Sequence, residues 1–350
     1  MRTALLARDA FSDDAPDAWI QLSFEPLPAH VAERVRRGQT RILARMNGCW
    51  CQRHSVLRGL PLPWLDARAS RRRNDRKNAR IRQNLAEAHG VIYQSEFSRR
   101  LTHAFVDAAA PQGVVIYNGV DLDAFSPEGP VDSAIADDFK DSFNLLMSHS
   151  FQPYHRLHDA MKILAALRRQ QLDKPVHLHV LGGADERCFG WAREIAHQKG
   201  LLEGRDFTIW GKRPFDALAP MLRGCDAMLN LSYWDACPNV AIEAMACGLP
   251  IIGVDHGGLA ELVGAGSQMA GVLVSERIPF TYLDHQNPSR MPQAPIAGYV
   301  EAIAAAIPMT AALSEVARAR AETRFDIRRI CAEYLAAAQA LTQEDLVSCG

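Results

Sequence analysis

Two carboxylates flank the start of a predicted helix in the stretch WDACPNVAIEAMACGLP at 234–250. The residues after Asn239 are apolar or good helix formers, and Gly248 stands where a left-handed C-terminal cap is expected, just before a proline. Asp235 precedes this helix and Glu243 lies one turn inside it. Short buried strands are predicted on both sides, so both carboxylates lie at a strand-to-helix turn, where open parallel sheets bind ligands.

The direction of helical side chains predicts where these groups point. Side chains lean toward the N-terminus of a helix, so Glu243 should point back toward the crevice at the strand ends. The amides at the helix start are free and favour a phosphate. Because Pro238 has no N–H group, Asn239 and Val240 must supply these donors.

Composition favours a globular protein of two domains. The chain has 350 residues, 48% of them hydrophobic, and a net charge of −1. No apolar run near the roughly 18–20 residues of a membrane span stands out, and the first residues lack a signal-peptide core. A cytoplasmic location is therefore expected. The eight cysteines form no paired CxxC framework, and Cys49 and Cys51 have no matching partners, which disfavours a disulfide or zinc site there.

Alternating strand and helix patterns predict two α/β halves with parallel sheets. Strand-like runs lie at 18–24, 41–47, 90–95, 113–118, 144–150, 176–183, 207–211, 227–232, 251–255 and 271–274. The turn-rich segment 123–141 is the predicted boundary between a first domain at 1–126 and a second at 140–325, with a closing helix at 326–345. Two such domains make a cleft suited to an enzyme with two substrates. The absence of GxGxxG and Walker motifs disfavours a dehydrogenase or a P-loop ATPase.

The first half is rich in arginine. Residues 34–82 contain fourteen arginines and Lys77 against Asp66 and Asp75. This segment is interpreted as a solvated surface, a face for a phosphorylated or membrane-bound anionic partner, or, least favoured, a nucleic-acid site, because aromatic residues are not interleaved with the charges. The part at 48–79 is predicted to be an irregular loop.

The residues 234–261 resemble the donor-site signature of family 4 glycosyltransferases of the GT-B fold: an acid, seven positions, then Glu, followed by a GG–E turn. VIYQSEFSRR, VVIYNGVDLDAF, SHSFQPYHRLHDAM and FDIRRICAEYL extend the resemblance over about 86–345. It implies two Rossmann-like domains facing a cleft, with an abbreviated N-terminal domain. It also implies metal-independent, retaining transfer from a nucleotide-sugar such as a UDP- or GDP-sugar, without a cofactor.

The resemblance also implies roles for the two acids and for a position in the first domain. Glu243 would accept hydrogen bonds from the ribose hydroxyls, and Asp235 would hold the hydroxyls of the transferred sugar. Where many relatives carry a histidine facing that sugar, this chain has Asn47.

The loop at 150–157 departs from the family pattern S-x-W-R-P-x-K-R-L. Gln152 and His155 replace the Arg and Lys that neutralise the donor diphosphate, which leaves Arg156 as the one permanent cation of the loop. Either His155 donates to the phosphate, as a cation if the dianion raises its pKa, or Arg156 swings into the site. The alternative is that both residues only solvate a helix start.

Three functions follow from these features. The first is a glycosyltransferase of glycan, lipopolysaccharide or exopolysaccharide synthesis. It would act on a glycan or lipid-linked acceptor in the cytoplasm, in peripheral contact with the anionic inner face of the membrane, and without nucleic acid. The second is a degenerate GT-B protein that binds a sugar nucleotide or a partner enzyme. The third is a GT-B sugar-nucleotide epimerase.

Overall fold

The chain folds around two parallel sheets, one in each half. The computed structural model describes residues 18–21, 27–49, 63–183, 186–280 and 291–347. The first sheet has the order β1-β2-β3-β4 and the second the order β10-β9-β8-β5-β6-β7. The strands are β1 (Ala18–Gln21), β2 (Arg41–Met46), β3 (Gly90–Tyr93), β4 (Val114–Val115), β5 (Phe143–Ser148), β6 (Val176–Leu181), β7 (Phe207–Gly211), β8 (Ala227–Asn230), β9 (Ile251–Val254) and β10 (Gly271–Val274). All ten predicted strands are present, and the two-domain α/β prediction is confirmed.

Helices cover both faces of these sheets. They are α1 (Ala29–Arg36), α2 (Pro63–Glu87), α3 (Glu96–Phe105), α4 (Ser133–Asp138), α5 (Leu157–Leu167), α6 (Glu186–Gln198), α7 (Leu218–Arg223), α8 (Asn239–Ala246), α9 (Gly257–Val263), α10 (Ile296–Ala306), α11 (Thr310–Arg324) and α12 (Ile327–Val347). The last helix crosses back to the first sheet, where Ile330 packs against Leu43 and Ile92. The domain limits at 126, 140 and 325 stay a prediction.

The basic segment is helical where an irregular loop was expected. Helix α2 begins at Pro63, so the prediction of a loop over 48–79 is wrong for its second half, while 50–62 lie outside the described residues. The helix is held by its inner face, which presents Asn78, Ile81 and Leu85 at helical spacing and buries them. Arginine is a good helix former, so the charge density that suggested a loop is compatible with an amphipathic helix.

One segment meets the length and composition criteria for a membrane span, contrary to expectation. Ile296–Arg324 is long and apolar enough to cross a bilayer. The core helix of a non-membrane protein passes the same test, and residues such as Tyr299, Ile303 and Ala317 pack inside the two cores of the second domain. Of the apolar window, 33% is buried, where α10 packs against α5, β9 and β10 and α11 packs against α8.

The order of the second sheet fixes the place of a ligand crevice. From β5 the chain builds outward through β6 and β7, then returns beside β5 with β8 and continues the other way through β9 and β10. The loops after β5 and β8 therefore leave neighbouring strand ends in opposite directions. Open parallel sheets bind ligands at such a switch point.

Candidate functional site

Asp235 lies in the loop after β8, and its backbone is held by the glycine pair at the start of α9. The Gly258 amide donates to the Asp235 carbonyl at 2.9 Å. A Cβ at Gly258 would lie 1.8 Å from the Ala236 carbonyl oxygen, so the close approach requires glycine. The Asp235 Oδ1 accepts from the Cys237 amide at 3.1 Å. Burial raises the pKa of the Asp235 carboxyl, and this hydrogen bond opposes the rise.

Glu243 is the half-buried acid of a helix whose other inner residues form core. Its neighbours Ile242 and Ala244 are fully buried. Among the described residues, the Glu243 carboxylate has neither a hydrogen-bond nor an ion-pair partner, and burial raises its pKa to about 7. A desolvated carboxylate with unused acceptor capacity is costly in the absence of a ligand and typical of a binding site.

The loop after β5 contains Gln152 and His155. The Gln152 amide donates to His155 Nδ1 at 2.8 Å, which makes the imidazole an acceptor at that atom and leaves the proton on Nε2. The ring is buried and stacks on His149 with 4.2 Å between centroids. Burial holds the pKa of His155 well below its usual value. His155 can therefore donate through Nε2–H, and its cationic form beside a bound dianion stays a prediction.

Arg156 forms a buried ion pair inside the second domain. Its side chain is 0% exposed, and its guanidinium forms two bonds to the Glu276 carboxylate at 2.7 and 2.9 Å and one to the Leu231 carbonyl at 2.8 Å. The Tyr299 hydroxyl donates to the same carboxylate at 2.5 Å. The interpretation of Arg156 as the cation that swings into the cleft is corrected, because its charge is already neutralised in a buried pair.

Arg156 has a left-handed backbone with φ of 55°, rare for a residue with a Cβ. Such a conformation persists where surrounding contacts hold the residue, and the Arg156 side chain is held by Glu276 and the Leu231 carbonyl. The pair also fixes the end of the loop that carries Gln152 and His155.

Asn47 reaches the start of α8 through a chain of polar side chains. Its Oδ1 accepts from Arg45 Nη1 and from Gln94 Nε2, the latter at 2.7 Å. Arg45 Nη2 donates to Asn118 Oδ1, and Asn118 Nδ2 donates to the Asn239 side chain at 2.5 Å. The structure thus connects the predicted acceptor-side residue with the predicted phosphate-binding turn. Sequence reasoning missed Arg45, because it reads as an ordinary strand residue.

The amides of Asn239 and Val240 are at the first turn of α8. Neither forms a hydrogen bond with any described residue. Asn239 is exposed and Val240 is half-buried. Both amides remain available as donors, and their role toward a phosphate stays a prediction.

Glu261 joins the two domains in a way that the sequence did not predict. Its carboxylate accepts from the amides of Glu96 and Phe97 at 2.8 and 2.7 Å, at the N-terminus of α3, and from the Tyr117 hydroxyl at 3.1 Å. Glu261 was recognised only as part of the GG–E turn. The acid caps a helix of the other domain, where the dipole and free amides favour a negative charge.

Aromatic packing completes the junction beside Asp235. Trp234 lies edge-on to Phe97 at 5.5 Å between centroids and contacts Phe280 at 5.8 Å. Phe97 belongs to the first domain and Trp234 immediately precedes Asp235. The position of the Asp235 loop therefore depends on both domains.

Several buried polar atoms at the same sheet edge lack a partner among the described residues. They are His149 Nε2, Asn230 Nδ2, Ser232 Oγ and His256 Nε2. His149 follows β5, and Asn230 is the last residue of β8. Ser232 lies just after β8, and His256 just after β9. Buried polar groups are nearly always hydrogen-bonded, so an unsatisfied cluster here indicates a site whose ligand is polar. No group of three His, Cys, Asp or Glu side chains in the described part of the chain could hold a metal ion, and metal-independent chemistry stays a prediction.

Comparison with known proteins gives a family match in the second half. Residues 132–279 match the family described as glycosyl transferases group 1. The chain is 33% identical over 186 residues to the D-inositol 3-phosphate glycosyltransferase of Jonesia denitrificans, covering 50% of this chain and 42% of the relative. It is 32% identical over 176 residues to the enzyme of the same name from Segniliparus rotundus, covering 49% and 38%. The chain thus spans about two fifths of the length of these curated relatives.

Solved structures match almost the whole chain in fold. Anabaena HepE in complex with UDP and glucose has a TM-score of 0.61 at 20% identity, covering 92% of this chain and 78% of that protein. The sucrose-phosphate synthase of Thermosynechococcus elongatus also has a TM-score of 0.61, at 18% identity, covering 91% and 71%. The chain therefore has the GT-B fold, and its residues 132–279 match the group 1 glycosyltransferases.

Proposed function

We propose that this chain is a family 4 retaining glycosyltransferase that moves a sugar from a nucleotide-sugar to an acceptor. The observation that carries the proposal is the pair of half-buried acids, Asp235 and Glu243, at the switch point of the second sheet. Both keep free acceptor oxygens, and the first turn of α8 between them offers free amides. Acceptors for sugar hydroxyls beside donors for phosphate match the chemistry of a sugar nucleotide.

In the proposed reaction the bond between the anomeric carbon and the phosphate oxygen breaks, and the electron pair stays on that oxygen. The acceptor hydroxyl oxygen bonds to the same carbon, and its proton passes to the departing phosphate. Fixed donors must stabilise the leaving charge. His155 Nε2–H, the Gln152 side chain and the amides of Asn239 and Val240 are the neutral candidates for this role.

The proposed donor and acceptor classes draw on the relatives. The HepE structures were solved with UDP and with UDP-glucose, which favours a UDP-sugar over a GDP-sugar donor. The similar D-inositol 3-phosphate glycosyltransferases have a phosphorylated polyol in their name, so the proposed acceptor is a phosphorylated polyol, a glycan or a lipid-linked sugar. We place the enzyme in the synthesis of a glycan, lipopolysaccharide or exopolysaccharide, in the cytoplasm.

Replacing Asp235 with alanine tests the proposal. Turnover should fall about 10- to 100-fold, because a charged hydrogen bond to the transferred sugar is lost, whereas affinity for the free nucleoside diphosphate should stay the same. The measurement pairs a coupled transfer or donor-hydrolysis assay with calorimetric titration of UDP, GDP and ADP. Asp173→Ala removes an exposed carboxylate at the opposite edge of the same sheet and should change neither quantity.

Two results would count against the proposal. A wild type that binds no nucleotide or sugar nucleotide in a thermal-shift screen is not a glycosyltransferase of this kind. Tight donor binding without transfer or hydrolysis would instead favour the degenerate binding protein.

We also propose that α2 contacts an anionic membrane surface. Its basic residues Arg71, Arg72, Arg73, Arg76 and Lys77 are exposed, while Asn78 and Ile81 face inward. A helix with one buried face and a cationic outer face suits peripheral binding to acidic lipids.

Replacing these five residues with glutamine should abolish sedimentation with phosphatidylserine vesicles at low salt, because each cation contributes about 1 kcal/mol near such a surface. Raising the salt should weaken wild-type binding. The control is the double variant Arg328→Gln and Arg329→Gln, which should sediment normally. In the wild type Arg328 pairs with Asp123 and Arg329 with Glu333. If the wild type fails to sediment at low salt, the membrane proposal is wrong.

A further inference from the structure

The loop after β5 offers no cation to a donor diphosphate. Gln152 is neutral, His155 accepts a hydrogen bond at Nδ1, and Arg156 is neutralised by Glu276. The diphosphate of a sugar nucleotide carries two negative charges. Further negative charge builds up on the departing nucleotide as its bond to the sugar breaks. Either the site works with neutral donors alone, or a cation arrives from elsewhere.

Arg45 is a half-buried guanidinium without a carboxylate partner among the described residues. Its Nε donates to the Tyr334 hydroxyl at 2.5 Å, and its two terminal nitrogens donate to the amide oxygens of Asn47 and Asn118. These neutral partners come from the end of β2, the segment after β4 and helix α12. They fix the orientation of the guanidinium, and none of them carries a negative charge.

The position of Arg45 connects it with the proposed phosphate site. It lies next to the last residue of β2. Its partner Asn118 donates to the Cys237 carbonyl at 3.2 Å and to the Asn239 side chain at 2.5 Å. Arg45 is therefore one side chain away from the turn whose free amides begin α8. An anion at this turn would meet amides from the second domain and a cation from the first.

We infer that Arg45 supplies the cation that stabilises the donor diphosphate as it departs, in place of the basic residues missing from the 150–157 loop. The inference rests on the proposed function. A guanidinium that already directs its Nη atoms at Asn118 and Asn47 can donate to phosphate oxygens with little reorganisation. Because Asn118 joins Arg45 to Cys237 and Asn239, this cation lies beside the α8 turn only while the first domain is docked on α8.

The test compares each nucleoside diphosphate with its nucleoside: UDP with uridine, GDP with guanosine and ADP with adenosine. For the diphosphate that binds the wild type, Arg45→Gln should lower calorimetric affinity about 10- to 100-fold while leaving affinity for the nucleoside unchanged. Arg45→Lys keeps the charge but not the planar guanidinium, so its diphosphate affinity should lie between those of the wild type and Arg45→Gln. Arg41→Gln removes the same charge from the opposite end of β2 and should change neither affinity.

The outcomes separate this inference from the proposed function. A wild type that binds no diphosphate contradicts the proposed function itself. Unchanged diphosphate affinity in Arg45→Gln overturns only the inference, as does an equal loss for diphosphate and nucleoside, which would make Arg45 a structural tie between domains. If diphosphate affinity is unchanged but transfer to a phosphorylated acceptor falls, Arg45 serves the acceptor and the inference is also wrong.

Discussion

Replacing Glu243 with glutamine is expected to stabilise the unliganded protein at pH 8 and to weaken its binding of nucleotide. The carboxyl pKa is raised to about 7 by burial, and no described residue compensates its charge. Above that pH the folded state holds a desolvated carboxylate that the unfolded state exposes to water. Glutamine has nearly the same shape without the charge, so the gain in the free energy of unfolding should be on the order of 1–3 kcal/mol.

The sign of the pH dependence follows from the same shift. Between the unfolded value of 4.5 and the folded value of about 7, the folded state keeps a proton that the unfolded state has released. The contribution of Glu243 to stability therefore falls as pH rises through this window. The advantage of Glu243→Gln should be full at pH 8 and nearly absent at pH 4.5. Chemical denaturation at several pH values measures it, with the exposed Glu315→Gln as control.

Ligand binding should show the opposite effect. A ribose diol donates to an ionised carboxylate, so Glu243→Gln should weaken donor binding by about 1–3 kcal/mol and Glu243→Ala should abolish it. Because the ligand selects the ionised form, wild-type binding near pH 6.5 should release a proton, and this release should be absent from the glutamine variant. Unchanged donor affinity in a folded alanine variant would remove Glu243 from the site.

Replacing Glu276 with glutamine is expected to destabilise the protein by about 3–5 kcal/mol, because it leaves the buried Arg156 charge uncompensated. The Arg156 side chain is 0% exposed and that of Glu276 is 3% exposed, so water cannot replace the lost partner. Denaturant unfolding measures the loss. The matched control is Glu203→Gln, which breaks the exposed pair with Arg193 and should cost less than about 1 kcal/mol.

A second variant distinguishes a buried pair from a merely packed side chain. Arg156→Met together with Glu276→Leu removes both charges and should recover much of the stability that either single change loses. A Glu276→Gln protein as stable as the wild type would show that Arg156 finds another partner. The correction of its sequence-based role would then fail.

The sequence by itself determined the framework of both domains and the place of the two acids. Strands buried on both faces appear in the sequence as continuous apolar runs, and helices as apolar residues at helical spacing. The local sequence pattern is therefore enough to locate them. The turn that carries Asp235 ends at Pro238, and Gly248 and Pro250 mark the end of the helix that follows it. For these features the decisive contacts lie close along the chain, and the pattern contains them.

The tertiary structure alone decided which charges the site can use. Arg156 looked like the one available cation of its loop, but its partner Glu276 is 120 residues away. Glu261 caps a helix 165 residues away, and Arg45 is oriented by Tyr334, 289 residues away. Whether a charged side chain is neutralised or available to a ligand depends on the partners that folding brings to it. Pairings at such separations leave no periodic signal in the sequence. The sequence gives the residue types, whereas their electrostatic balance depends on contacts within the second domain for Arg156 and between the two domains for Glu261.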